Sequence, residues 1–240
     1  MEDRKSRLIE LLEAYQDKQT WIWNQMNDEM RALNGTVDDW GPKDHQAHAN
    51  FWTERVIAQL QIASGEETRE RLQDFTKSNE ETFESFKDLS WQEIQLWSEQ
   101  VHKQLHDAFS VVSLDALEDP ERFEWTNHRP LWNEVVFTGV YHRLQHACDI
   151  LTLSGLADHV LEIREQFSRL MEEIGDTDEW RGTTKYNLAC YYALDGNKDA
   201  ALETIKAALG LNPKLLEWSK QDSDLDPLRE LSEFQALYES

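Results

Sequence analysis

Apolar residues recur at intervals of three and four along most of the chain. Leu8, Leu11, Leu12, Tyr15, Ile22, Met26, Met30 and Leu33 form one stripe and predict a helix over about residues 2–33. Asn34-Gly35, a pair that tolerates the left-handed conformation, ends it. Trp40-Gly41-Pro42 opens a second helix, because proline suits a first turn whose N–H groups have no partner anyway. That helix runs to Ala63 and stops at Ser64-Gly65, and the polar stretch 66–89 reads as weak helix and loop. Ser90 and Glu93 form a capping box ahead of Ile94, Trp97, Val101, Leu105, Ala108, Phe109 and Val112. Residues 114–128, with Asp119-Pro120 inside, read as a long connection. Pro130 then opens a fourth helix, 131–153, apolar on more than one side and closed by Gly155. Four long helices and one longer crossover predict an all-α four-helix bundle.

The character changes after Gly155. A helix over 156–174 ends at Gly175, and then Leu188, Ala189, Tyr192, Gly196, Ala201, Ile205, Ala208 and Pro213 take the positions of the roughly 34-residue tetratricopeptide (TPR) pattern. The likeness is incomplete: Lys185 stands where the pattern has an aromatic, and Trp180 lies outside that position. One visible repeat is fewer than a free-standing array needs, so it is expected to pack on neighbouring helices. Residues 224–237 resemble the helices that cap such arrays. The chain thus divides into a bundle domain, 1–155, and a small TPR-like helical domain, 156–240.

Composition narrows the function. Against 24 Lys and Arg stand 47 Asp and Glu in 240 residues, a formal charge of −23. Repulsion from phosphate excludes nucleic acid as the main partner and disfavours an anionic membrane surface. No run approaches the roughly 18 apolar residues of a membrane span, and the start reads as an amphipathic helix rather than a signal peptide. Cys148 and Cys190 make no disulfide framework, so a reducing cytoplasm is the expected location. No glycine-rich phosphate loop, G-x-S-x-G elbow or cysteine pair at redox spacing occurs.

Eight histidines carry the chemistry worth weighing. His142 and His146, four apart on the fourth helix, project from one face and can meet one ion; His102 and His106 repeat the spacing on the third. Context separates the two pairs. Trp40-Gly41-Pro42-Lys43-Asp44-His45-Gln46-Ala47-His48, together with Tyr141-His142-Arg143-Leu144-Gln145-His146, resembles the DinB-like superfamily of four-helix-bundle metalloenzymes. That group includes thiol S-transferases and mycothiol-dependent maleylpyruvate isomerases. The polar stretch from Asp74-Phe75 to Asn79 also follows its order, and the likeness covers about the first 155 residues. It implies a three-histidine site of His48, His142 and His146, with a tryptophan and a Lys-Asp pair preceding the first ligand. His45 is set aside because the resemblance puts the ligand at the later position. His102 and His106, flanked by Lys103 and Asp107, read as surface or rim residues.

Donors from two separate helices are what a bundle-core site requires, and three imidazoles with an open position suit Zn²⁺, Ni²⁺ or Fe²⁺. Asp44 reads first as a helix N-terminal cap and second as a residue orienting His48. Gly139, one turn before His142, either leaves room at the site or serves packing. Trp40 and Trp52 are candidates to wall a pocket, Cys148 reads as a small buried residue, and Gln145, Arg143 and Asp149 as supporting or solvated positions. The sequence therefore points to a metal-dependent transferase, isomerase or hydrolase acting on a small molecule, its catalytic residues unknown. The alternative is a non-enzymatic scaffold whose TPR-like end holds a protein partner; a sequestering protein without turnover is a weaker third reading, and homodimerisation through apolar helix faces is open.

Overall fold

In the computed structural model, which describes residues 4–66, 72–73 and 75–238, the chain is all-helical, with no strand among the described residues. The helices are α1 (Arg4–Gln25), α2 (Asp28–Arg31), α3 (Pro42–Ser64), α4 (Asn79–Phe86), α5 (Trp91–Val111), α6 (Leu114–Glu118), α7 (Leu131–Val136), α8 (Arg143–Leu153), α9 (Val160–Glu172), α10 (Asp178–Leu194), α11 (Lys198–Leu211), α12 (Leu216–Ser219) and α13 (Ser232–Gln235). A π-helical turn, Phe137–His142, joins α7 to α8 into one rod. No helix among the described residues is long and apolar enough to cross a membrane. Two compact units divide the chain: Leu8–Ala157, and Asp158 onward together with the described residues before Leu8.

In the first unit the long helices bury the predicted stripes: Leu8, Leu11, Leu12 and Tyr15 of α1, Val56, Ile57 and Leu60 of α3, Ile94, Val101, Leu105 and Phe109 of α5, and Val135, Val136, Val140, Leu144 and Leu151 of the last rod. The first helix is shorter than its stripe. Asn27 accepts a hydrogen bond from the Met30 N–H through Oδ1 at 2.9 Å and so starts α2, leaving Leu33 exposed. The stretch read as weak helix and loop contains α4, and the long connection begins with a helix of its own, α6. Ser78 and Glu81 close a capping box on α4, and Ser113 caps α6, which buries Ala116 and Leu117. Residues 67–71 and Asp74 lie outside the described residues. A polar layer crosses this core. Gln19 donates to Gln46 at 2.9 Å, Gln46 to Asn50 at 3.0 Å, and Ser98 to Asn50 at 2.8 Å.

In the second unit α10 and α11 pack as an antiparallel pair through small residues: Ala189 and Ala193 meet Ala201, Ile205 and Ala208. A Cβ on Gly182 would lie 2.6 Å from Asn212 Cβ, so only glycine allows that approach. Leu225, Leu228 and Phe234 of the tail close the cluster. Trp180 is buried and donates from Nε1 to the Met171 carbonyl at 2.7 Å, while Lys185 pairs with Glu172 at 2.9 Å. Arg4 Nε donates to the Ile174 carbonyl at 3.0 Å, which ties the start of the chain to this unit.

Candidate metal centre

The start of α3 sets the site. Asp44 Oδ2 accepts from the backbone N–H groups of Gly41 at 2.9 Å and Gly35 at 3.0 Å, folding the preceding loop onto the helix end. A Cβ on Gly35 would collide with the Gly41 backbone and with that carboxylate. Asp44 is thus a buried cap, the first of its two sequence readings. The loop so held places Trp40 against the helix, its ring 4.8 Å from His48 and 5.5 Å from His45 by centroids.

The last rod supplies the other two rings. Its π-helical turn ends at His142 and holds one residue more than an α-helical turn, which resets the face on which His142 and His146 lie. Gly139 in that turn faces Leu105 and Val56 at ordinary contact distance, so its role is packing. Arg143, the next residue, turns away from the site. It is fully buried, with its guanidinium 4.2 Å from the Tyr15 ring centroid and Nη2 3.5 Å from Gln19 Oε1. It is not solvated.

His48, His142 and His146 converge. One nitrogen of each lies within 4.8 Å of the others, and Nε2 of His142 stands 3.1 Å from Nε2 of His146. Two imidazoles on one tetrahedral ion, each about 2.0–2.1 Å from it, sit about 3.3 Å apart. The separation therefore fits a shared cation. Burial favours the required uncharged rings. Desolvation, with His142 and His45 nearby, pushes the His48 pKa down to about 3, and desolvation lowers that of His142 to about 4. Both rings are neutral at pH 7, with lone pairs free for a cation. Nδ1 of His48 and Nδ1 of His142 are buried without a hydrogen-bond partner. Packing against Trp40, and Trp52 at 6.1 Å, orients the His48 ring in place of the usual hydrogen bond.

Comparison with protein-family models, curated proteins and solved structures finds no match.

Beyond the three expected rings the fold adds two groups. His45 Nδ1 lies 2.9 Å from His146 Nδ1, and Asp149 Oδ2 lies 3.4 Å from the first and 3.6 Å from the second. His45, one α-helical turn before His48, is therefore part of the cluster; the three-residue spacing held that signal. These groups line an open cleft of about 600 Å³ with Asp38, Asp39, Trp40 and Leu153. A hollow of about 10 Å³ beside His48, also lined by Trp40, is closed by Thr82, Phe83 and Phe86. The second pair stays apart from the site but is not a rim pair throughout: His102 is partly buried, its Nδ1 has no hydrogen-bond partner, and desolvation beside Arg143 lowers its pKa to about 4. Cys148 is a buried free thiol.

Proposed function

We propose that the chain is a metal-dependent enzyme of the DinB-like kind, using His48, His142 and His146 as a three-imidazole site for a divalent transition ion. The convergence of three ring nitrogens from two helices on one point carries this reading. A divalent ion with an open position supplies Lewis acidity that turns a bound water or thiol into a nucleophile at neutral pH. The chain's own part is to hold that position fixed and limit water. Trp40 walls the ring cluster, and α4 closes the hollow beside His48 through Thr82, Phe83 and Phe86. The cleft of about 600 Å³ that Trp40 lines with His45 and His146 is of the size that takes a small molecule. Its acidic wall of Asp38, Asp39 and Asp149 favours a substrate without excess negative charge. The reaction class is transfer of, or isomerisation with, a small thiol, or hydrolysis.

Elemental analysis of protein purified without a metal-affinity tag tests the reading. His48→Ala and His142→Ala should each hold one ion per chain fewer than the parent, whereas His128→Ala, at an exposed site paired with Glu121, should hold the parent's complement. Metal-free parent protein whose melting temperature zinc and nickel leave unchanged would sink the enzyme reading. A scaffold acting through the C-terminal helix pair would then be the better account.

A further inference from the structure

His146 presents a different nitrogen to each side. Nε2 faces His142, whereas Nδ1 faces the open cleft, where it meets His45 and Asp149. The three cleft-side donors are separated by 2.9, 3.4 and 3.6 Å. Those values bracket the ~3.3 Å that separates ligand atoms on a tetrahedral ion with bonds of about 2.0–2.1 Å. All three atoms thus fit one face of a coordination tetrahedron, with the fourth corner left to solvent or ligand.

We propose that His45, Asp149 and Nδ1 of His146 form a second divalent-cation site, next to the His48–His142–His146 site and joined to it through the His146 ring. Two imidazoles and one carboxylate are a donor set that borderline-soft ions such as zinc accept. Accessibility favours loading: Asp149 is half exposed, and Asp38 and Asp39 on the same cleft wall attract cations in a chain of charge −23. Occupancy of both sites uses both ring nitrogens of His146, so its remaining N–H proton passes to solvent and the ring becomes an anionic bridge. That negative charge, together with the Asp149 carboxylate, offsets the repulsion between two dications a ring's width apart. Two of the three outer donors, His45 and Asp149, play no part in the inner site, so the sites can be lost separately.

Zinc titration of metal-stripped protein, followed by calorimetry and by native mass spectrometry, reads the stoichiometry directly. The expected result is two ions per chain in the parent, one in His45→Ala, one in Asp149→Asn and one in His48→Ala. Far-UV circular dichroism checks that each variant is folded, and His45→Asp, which restores a donor, should regain the second ion. Loading with Cu²⁺ adds an independent signature. Two coppers bridged by one imidazole ring couple magnetically, which weakens the isolated-copper resonance of the doubly loaded parent and restores it in Asp149→Asn. A parent that saturates at one zinc, kept in His45→Ala and lost in His48→Ala, overturns the second site and leaves the inner reading standing. One zinc lost in His45→Ala but kept in His48→Ala removes the inner site and supports the cleft triad as the metal centre.

Discussion

At His48 and His142 the protein holds imidazoles where a proton is unwelcome. Their pKa values of about 3 and about 4 lie below the ~6.5 of a solvated ring, because burial strips water from the charged form. In metal-free protein the unfolded chain therefore binds protons between about pH 6.5 and pH 4 that the folded chain does not. Stability rises with pH across that window and falls on acidification, by up to about 1.4 kcal/mol per pH unit for each ring. Urea unfolding of stripped protein at pH 7 and pH 5 should show the midpoint dropping, with a smaller drop in His48→Ala; equal drops would mean that the His48 ring already titrates like one in water. The same residues mark how far the sequence could be read. The resemblance implies His48, His142 and His146, of which helical spacing alone pairs only the last two, and by putting the ligand at the later position it passes over His45. Ring direction depends on how Trp40 and the Asp44-held loop pack, and no spacing rule encodes that.

The last rod shows why an element can be legible in kind and hidden in detail. Its apolar and buried pairs recur every four residues: Leu131-Trp132, Val135-Val136, Gly139-Val140, Arg143-Leu144 and Ala147-Cys148. An α-helix of 3.6 residues per turn advances such pairs by about 40° each time, so a straight α-helix carries later pairs off the core. The π-helical turn takes up one residue and brings them back. The apparent apolarity on several sides was this four-residue recurrence, and it was the available signal. Capping boxes gave helix starts reliably where they preceded strong stripes, as at Ser90. The same chemistry at Ser78 carries no such signal, because α4 buries only Thr82 and so lacks a stripe. Deleting Thr138, which is only partly buried, removes the residue that the turn takes up, so a plain α-helical turn should form with both halves of the rod still in register and the inner ion retained. Inserting one alanine after Thr138 should instead swing one half of the rod about 100° against the other; the expected outcome is retained helical circular dichroism, a melting temperature lowered by the equivalent of a few kcal/mol, and loss of the inner ion. An insertion variant with unchanged melting and full metal content would show that the turn does not set the histidines' register.

For the whole molecule, the question is which part of the chain the candidate chemistry needs. Every proposed donor, from His45 to Asp149, falls within Leu8–Ala157, which has its own apolar core and its own polar layer. The remaining unit closes a separate core on Ala189, Ile205, Leu225 and Phe234. The fragment 8–157 leaves behind Arg4, whose hydrogen bond to the Ile174 carbonyl belongs to the other unit. Removing it should cost the first core little, since Leu8 is the first residue of α1 in that core. About 150 residues suffice to bury a domain core. We therefore expect the fragment to unfold in one cooperative transition and to bind the same number of zinc ions as the full chain. Its midpoint should rise with free zinc as RT ln(1 + [Zn]/Kd), because only the folded fragment gathers donors nearly a hundred residues apart in sequence. A fragment that folds yet binds no zinc would place the determinant of metal binding outside these donors, and one that cannot fold would mean that the first core is completed from beyond Ala157.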